Sequence, residues 1–127
     1  ALHLAQAAAC APLVAAWEQG AEDAVPIERT ATVAGGITIE QPARGPMLLQ
    51  ALRDTGGAAV AVAEEAILPV RRELSVLEGL DVEPTSAVAF AGLLALRDRE
   101  LIPTDARVLV AVTGAGWKDP QPFPEEV

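Results

Sequence analysis

Cysteine, histidine and lysine each occur once in these 127 residues, as Cys10, His3 and Lys118, and tyrosine is absent. A single cysteine excludes an internal disulfide and fits a reducing compartment, so the expected location is the cytoplasm. One histidine and one cysteine, with six residues between them, do not make a zinc site. No Walker-type glycine loop is present. Basic residues are also scarce: nine against eighteen acidic ones, for a net charge of −9 spread along the chain. Nucleic-acid binding needs basic patches, so that class is set aside. The longest charge-free apolar stretch, Ser86 to Leu96, is too short to span a bilayer, which excludes a membrane protein of that kind. Ala1 to Ala16 is apolar but has no basic leader, so no signal peptide is read there.

What the chain does have is aliphatic bulk. Half of it is hydrophobic and only 3% is aromatic, with alanine, valine and leucine dominating. This is the composition of an α/β protein whose strands are buried on both faces. It is too apolar for intrinsic disorder. The length suits one core and is too short for two full domains.

Strand-like and helix-like segments alternate along the chain. Leu2 to Gln6 reads as a strand that begins without a lead-in. The chain is therefore expected to be a fragment of a larger protein, with a trimmed mature domain as the alternative. Pro12 to Gln19 reads as a helix, with proline in its first turn and Gly20 beyond its end. Gly20 to Thr32 reads as a surface connection. Small residues at Ala34-Gly35-Gly36 allow close backbone approach. Ile37-Thr38-Ile39 reads as a short strand or extended loop. A second helix is expected over Pro46–Thr55, with Leu48, Leu49 and Leu52 buried, followed by a strand over Ala58–Ala63. A third helix runs to Glu78 with acidic Glu64-Glu65 at its positive end. Ile67, Leu74 and Leu77 lie on its inner face, and Pro69 is a possible distortion. Leu80-Asp81-Val82 reads as a short strand. The fourth helix starts at Pro84-Thr85-Ser86, with Thr85 or Ser86 as N-cap. From Ala87 to Leu96 it is apolar all round and should be covered on more than one side. Arg107 to Val112 reads as the last strand. The expected architecture is α/β: a parallel sheet of about four strands with flanking helices and right-handed crossovers. It spans a partial domain over 1–120, followed by an extended acidic tail over 121–127.

Few groups could carry chemistry. A lone strand histidine such as His3 is usually structural. Cys10 precedes a proline at a helix start, which could lower its pKa, although a small buried residue is the simpler reading. Two segments remain. Glu83-Pro84-Thr85-Ser86-Ala87 places a carboxylate, hydroxyls and free N–H groups at a helix start, which alone reads as a capped helix. Thr113-Gly114-Ala115-Gly116 follows an apolar strand and reads equally well as a turn or as a ligand edge. Both follow strands and so should meet at one edge of the sheet.

Taken together, the motifs resemble the C-terminal part of threonine synthase and, more broadly, of fold-type-II pyridoxal-phosphate enzymes. Gln6-Ala7-Ala8-Ala9-Cys10-Ala11-Pro12 resembles the family's Q-A-x-G-C-A-P. Ala34-Gly35-Gly36-Ile37-Thr38-Ile39-Glu40-Gln41-Pro42 resembles A-T-A-I-R-I-G-N-P. Thr55-Gly56-Gly57 followed by Ala63-Glu64-Glu65-Ala66-Ile67 resembles S-G-G, a strand, and D-E-E-I. Glu83 to Ala87 resembles E-P-A-S-A, and Thr113 to Pro120 resembles T-G-H-G-L-K-D-P. The resemblance implies part of a tryptophan-synthase-β-like fold and pyridoxal 5'-phosphate as cofactor. It further implies a small amino-acid substrate and a homodimer at full length. Thr113 would bond the pyridine nitrogen, Glu83 would lie beside the ring, and the backbone at Gly35 and Gly36 would pass close to it. The implied reaction converts O-phosphohomoserine and water to threonine and phosphate. The family's Schiff-base lysine and phosphate-cradling loop lie upstream of all these motifs, and Lys118 matches a non-catalytic position. No catalytic residue is therefore expected in this chain, which should be inert alone. The departures at Ala9, Ala63, Thr38, Gln41, Ala115 and Trp117 fit equally a paralogue such as a threonine/serine dehydratase-like lyase. A non-catalytic α/β module that binds a ligand or partner is the remaining alternative.

Overall fold

The computed structural model describes residues 1–119 and residue 121. The expected tail over 121–127 therefore lies, apart from Gln121, outside the described residues. The element order is β1 (Leu4–Ala7), α1 (Pro12–Glu18), α2 (Gly45–Thr55), β2 (Ala59–Val62), α3 (Glu64–Glu78) and α4 (Pro84–Asp98), with short 3-10 turns at Ala8–Cys10, Gly35–Ile37 and Gly116–Lys118. β1 and β2 pair in parallel, Leu4 opposite Ala59 and Ala7 opposite Val62.

The side-chain period of two divides this small sheet cleanly. Leu4, Ala59 and Ala61 face α1 and α2, where Leu13, Val14, Leu49 and Leu52 close the core. Ala5, Ala7 and Val62 face the other way, onto Ile67 of α3 and Ala87, Val88 and Ala91 of α4. Val60 on that face meets Leu96 and Ile102. Fully burying an aliphatic side chain such as Val60 or Ile67 contributes about 1.5–3 kcal/mol. The layers are thus helix, sheet, helix, and α4 packs on both strands and on α3. That double covering explains why α4 is apolar all round. Gly92 is where it comes nearest the sheet: a Cβ there would collide with the Cβ of Ala5.

Capping differs from expectation in an informative way. Gln6, buried in β1, accepts hydrogen bonds at Oε1 from the N–H groups of Leu13 (3.0 Å) and Val14 (3.1 Å), so a strand residue caps α1. Gly56 and Gly79 end α2 and α3 in the left-handed region, at φ 65° and 68°, which glycine adopts without penalty. Pro69 sits inside α3 without breaking it, because its missing N–H removes only one bond near the start of the helix.

Several expectations are corrected. The sheet has two paired strands among the described residues, not about four. Val82 makes only an isolated antiparallel bridge to Ala115. Residues 107–112 are in no strand, because β1's free edge lies across a groove from them. Ile37 closes a 3-10 turn and is not in a strand. Leu48 is 42% exposed and Leu77 73% exposed: α2 buries only a narrow stripe, and no described residue covers the outer face of α3. α4 has no side-chain cap, and its N-cap position is Glu83.

Candidate functional site

α4 runs back across the sheet, so its N-terminal end reaches the carboxyl ends of β1 and β2. Val82 and Ala87 there share a core cluster with Ala7 and Val62. In open α/β sheets that edge is where ligands bind. Two other segments converge on the same point.

The first is 113–116, which runs antiparallel to 81–83. Glu83 N–H donates to the Gly114 carbonyl (3.1 Å), and Gly116 N–H donates to the Asp81 carbonyl (3.0 Å). The two glycines of Gly-Ala-Gly are required by this pairing: a Cβ at Gly114 would meet the Glu83 carboxylate, and one at Gly116 the Asp81 carboxylate. Ser86, 2% exposed, fixes the segment from the helix side. Its Oγ accepts the N–H groups of Thr113 (3.2 Å) and Gly114 (3.0 Å). Its own proton then points at the Gly114 carbonyl or the Thr113 hydroxyl, each 3.4 Å away. The second segment is the 3-10 turn at Gly35–Ile37, which packs on α4. Gly36 fits against Thr85, whose Oγ1 would lie 2.8 Å from an added Cβ.

The expected site residues are therefore neighbours. Glu83 is half-buried at the start of α4, Thr113 is exposed beside Ser86, and Gly35 and Gly36 are exposed in the turn above Thr85. Convergence is expected from the position of both segments after strands, but its actual cause is that they pair with each other. Lys118 is exposed in the turn after Gly116. Cys10 is buried, and burial, with a smaller contribution from Glu40, pushes its thiol up, with Arg29 opposing. A raised thiol is a poor nucleophile, which sets aside the lowered pKa considered for it. His3 is far in the fold from this edge and lines the groove beside β1.

Two residues of the site have roles that their local sequence does not announce. Ser86 stands where a cap of its own helix is expected, whereas it caps the 113–114 loop. Arg71, 3% exposed, belongs to no motif. Its guanidinium donates to the carbonyls of Val82 (2.7 Å) and Gln121 (2.7 Å) and pairs with Asp81 (3.2 Å). It ties α3 to the segment that carries Glu83. The signal that could find it is spacing: Arg71 falls between Ile67 and Leu74 at helical intervals, so it lies on the buried face. Among the described residues no group of acidic, histidine or cysteine side chains could hold a metal ion, and no helix is long and apolar enough to cross a membrane.

Comparison with known proteins agrees with the resemblance read from the motifs. A family model described as pyridoxal-phosphate dependent enzyme matches residues 1–114. Threonine synthase of Methanosarcina acetivorans is 41% identical over 116 residues, covering 91% of this chain and 29% of that protein. Cysteate synthase of Methanosarcina barkeri is 33% identical, covering 92% of this chain and 30% of its own length. The chain thus spans less than a third of these relatives. Among solved structures, a threonine deaminase from T.th. superposes with a TM-score of 0.61 at 25% identity, covering 76% of this chain and 30% of that one. Maize serine racemase superposes at 0.57 and 18% identity, covering 76% of this chain and 28% of that one, and supports the fold alone. The chain belongs to the pyridoxal-phosphate-dependent enzyme family.

Proposed function

We propose that this chain forms the pyridine-nitrogen side of a pyridoxal-phosphate site in an enzyme of the threonine synthase type. The observation that carries the reading is the meeting of Thr113, Glu83 and the Gly35-Gly36 turn at the N-terminal end of α4. The groups present fit the cofactor. Thr113 is exposed, so its hydroxyl is free to meet a ring, while its backbone is held by Ser86. If the Ser86 proton is donated to Thr113 Oγ1, the threonine proton is left to donate outward to an unprotonated ring nitrogen. A carboxylate at that position would instead hold the nitrogen protonated and deepen the electron sink. Glu83, pressed against Gly114, stands beside the ring, and the exposed backbone of Gly35 and Gly36 lets the ring approach without a Cβ in the way.

When bound, pyridoxal phosphate supplies the electron sink for carbanion chemistry on an amino acid. This chain's residues orient the ring and set the charge at its nitrogen. The lysine that holds the cofactor belongs to the rest of the enzyme, as does the loop that takes its phosphate, and the chain alone is inert. The overall reaction in this reading is O-phosphohomoserine plus water giving threonine plus phosphate, supported by the 41% identity to an archaeal threonine synthase. A dehydratase-like reading draws on the superposition with threonine deaminase.

The test uses the polypeptide translated from the whole reading frame that encodes these residues. It should take up pyridoxal phosphate and absorb in roughly the 410–430 nm range of the lysine-bound cofactor. A colourless protein that takes up none contradicts the proposal. Phosphate release from O-phosphohomoserine supports the synthase reading. Ammonia release from threonine or serine without it supports the dehydratase.

A further inference from the structure

Among the described residues Arg71 is the one charged residue that is buried. A buried charge is costly unless its donors meet acceptors. α3 places the guanidinium where two chain segments run side by side, and it bonds to both. On the segment that leads into α4, Nε donates to the Val82 carbonyl at 2.7 Å and Nη2 pairs with the Asp81 carboxylate at 3.2 Å. On the segment that follows Gly116, Nη1 donates to the Gln121 carbonyl at 2.7 Å. Asp81 extends the grip, because its carboxylate lies against Gly116, where an added Cβ would overlap it. These are the segments that the Glu83 and Gly116 N–H groups already join to each other. The first carries Glu83 directly after Val82, and the second carries Thr113 shortly before Gly116. Residues 107–112, which precede Thr113, are in no strand, so the second segment is held from its far side.

We propose that Arg71 is a positioning residue of the site. By clamping 81–82 to the segment after Gly116, it sets the register in which Glu83 and the Thr113 hydroxyl are presented to the ring. It acts through those two segments and not on the ring itself. Filling the core does not require an arginine here, since replacing a buried ion by a well-packed apolar side chain is often neutral or stabilising. What the guanidinium adds is direction. Its donors point along fixed lines in one plane, which a single ammonium cannot reproduce. Its acceptors belong to two segments far apart in the chain, so satisfying them together fixes one segment against the other. Ser86 holds the Thr113 and Gly114 N–H groups from α4, and Arg71 holds the pair from α3. The inference rests on the reading of this edge as the pyridoxal-phosphate site.

The test uses the whole enzyme loaded with pyridoxal phosphate. Arg71→Lys keeps the charge but cannot meet all the acceptors at once. Its kcat should fall by roughly 10- to 100-fold, the scale of a small misplacement at a reacting centre. Bound cofactor per chain should be nearly unchanged, while the circular dichroism of the cofactor's visible band should shift in intensity, because that signal follows the ring's orientation. Asp81→Ala removes one acceptor of the clamp and should move both readouts the same way by less. Leu49→Ala is the control for stability: Leu49 is buried in the layer on the other face of the sheet. It should lower the melting temperature at least as much as Arg71→Lys, yet leave kcat and the dichroism unchanged well below melting. An unchanged kcat in Arg71→Lys overturns the proposal. A rate loss matched by cofactor loss, or an equal rate loss in Leu49→Ala, also overturns it and leaves Arg71 a residue of stability alone. If Arg71→Lys does not fold, Asp81→Ala decides, and unchanged kcat and dichroism there overturn the proposal. An unsubstituted enzyme that takes up no cofactor sinks the proposed function together with this inference. A coloured, active enzyme indifferent to Arg71→Lys sinks this inference alone.

Discussion

The two ends of α4 present opposite conditions. At its N-terminal end, polar groups are abundant and paired: Ser86 holds two loop N–H groups, and Arg71 holds two carbonyls and Asp81. Toward its C-terminal end, Gly92, Leu93 and Leu96 face a groove walled by Leu2 to Ala5 and Arg107 to Ala111, where Leu2 and Leu109 are exposed. The difference separates polar groups that these residues pair among themselves from apolar side chains that they leave exposed. The loop that carries Thr113 is fixed from within the chain by Ser86, whereas residues 107–112 before it join no strand.

Substitutions should respect that asymmetry. Arg71→Met leaves the Val82 and Gln121 carbonyls without their donor and should cost about 3 kcal/mol, read as a loss of denaturant midpoint. Leu109→Asp in the same 127-residue chain should change stability by less than about 0.5 kcal/mol, because Leu109 is already exposed there. If the two losses were equal, the contrast between the ends of α4 would be broken.

Ser86→Ala comes next. It removes the acceptor of two buried or half-buried N–H groups and should cost about 2 kcal/mol. It should also raise exchange at the Thr113 and Gly114 amides while leaving those of β2 unchanged. Uniform loosening would mean that Ser86 supports the core and not the loop.

The smallest effect is on the groove side. Burial lowers the pKa of His3 below 6.5. The unfolded chain then binds more protons than the folded one between the lowered value and 6.5. Stability should be fully present above about pH 7 and fall as pH drops through about 6.5 toward the lowered value, levelling off below it. Thermal midpoints from about pH 7.5 to about pH 5 should show this slope, and His3→Gln should flatten it. A slope unchanged by the substitution assigns it to other groups.

The helices and β2 are legible in the sequence because their signals are local: glycine stops at 56 and 79, acidic starts at 64–65, and valine alternation at 60 and 62. Leu77 and residues 107–112 are legible as apolar but not as uncovered, because covering depends on what packs against them. The site is visible as two motifs, while its cement is not. Ser86 acts across 27 and 28 residues, on Thr113 and Gly114, and Gln6 acts across seven and eight, on Leu13 and Val14. No local pattern reports such pairings. The Gly-Ala-Gly spacing reads as a turn until Glu83 and Asp81 are seen lying against it.

The central claim is that Thr113 meets the cofactor ring through its hydroxyl. The most direct measurement is turnover and bound cofactor in Thr113→Ala and Thr113→Ser variants of the whole enzyme. Loss of one charge-stabilising hydrogen bond should lower kcat by roughly 10²-fold in the alanine variant. Cofactor retention should be nearly unchanged, and serine should restore most of the rate. An unchanged kcat in Thr113→Ala, or cofactor loss equal to the loss of rate, would contradict the assignment.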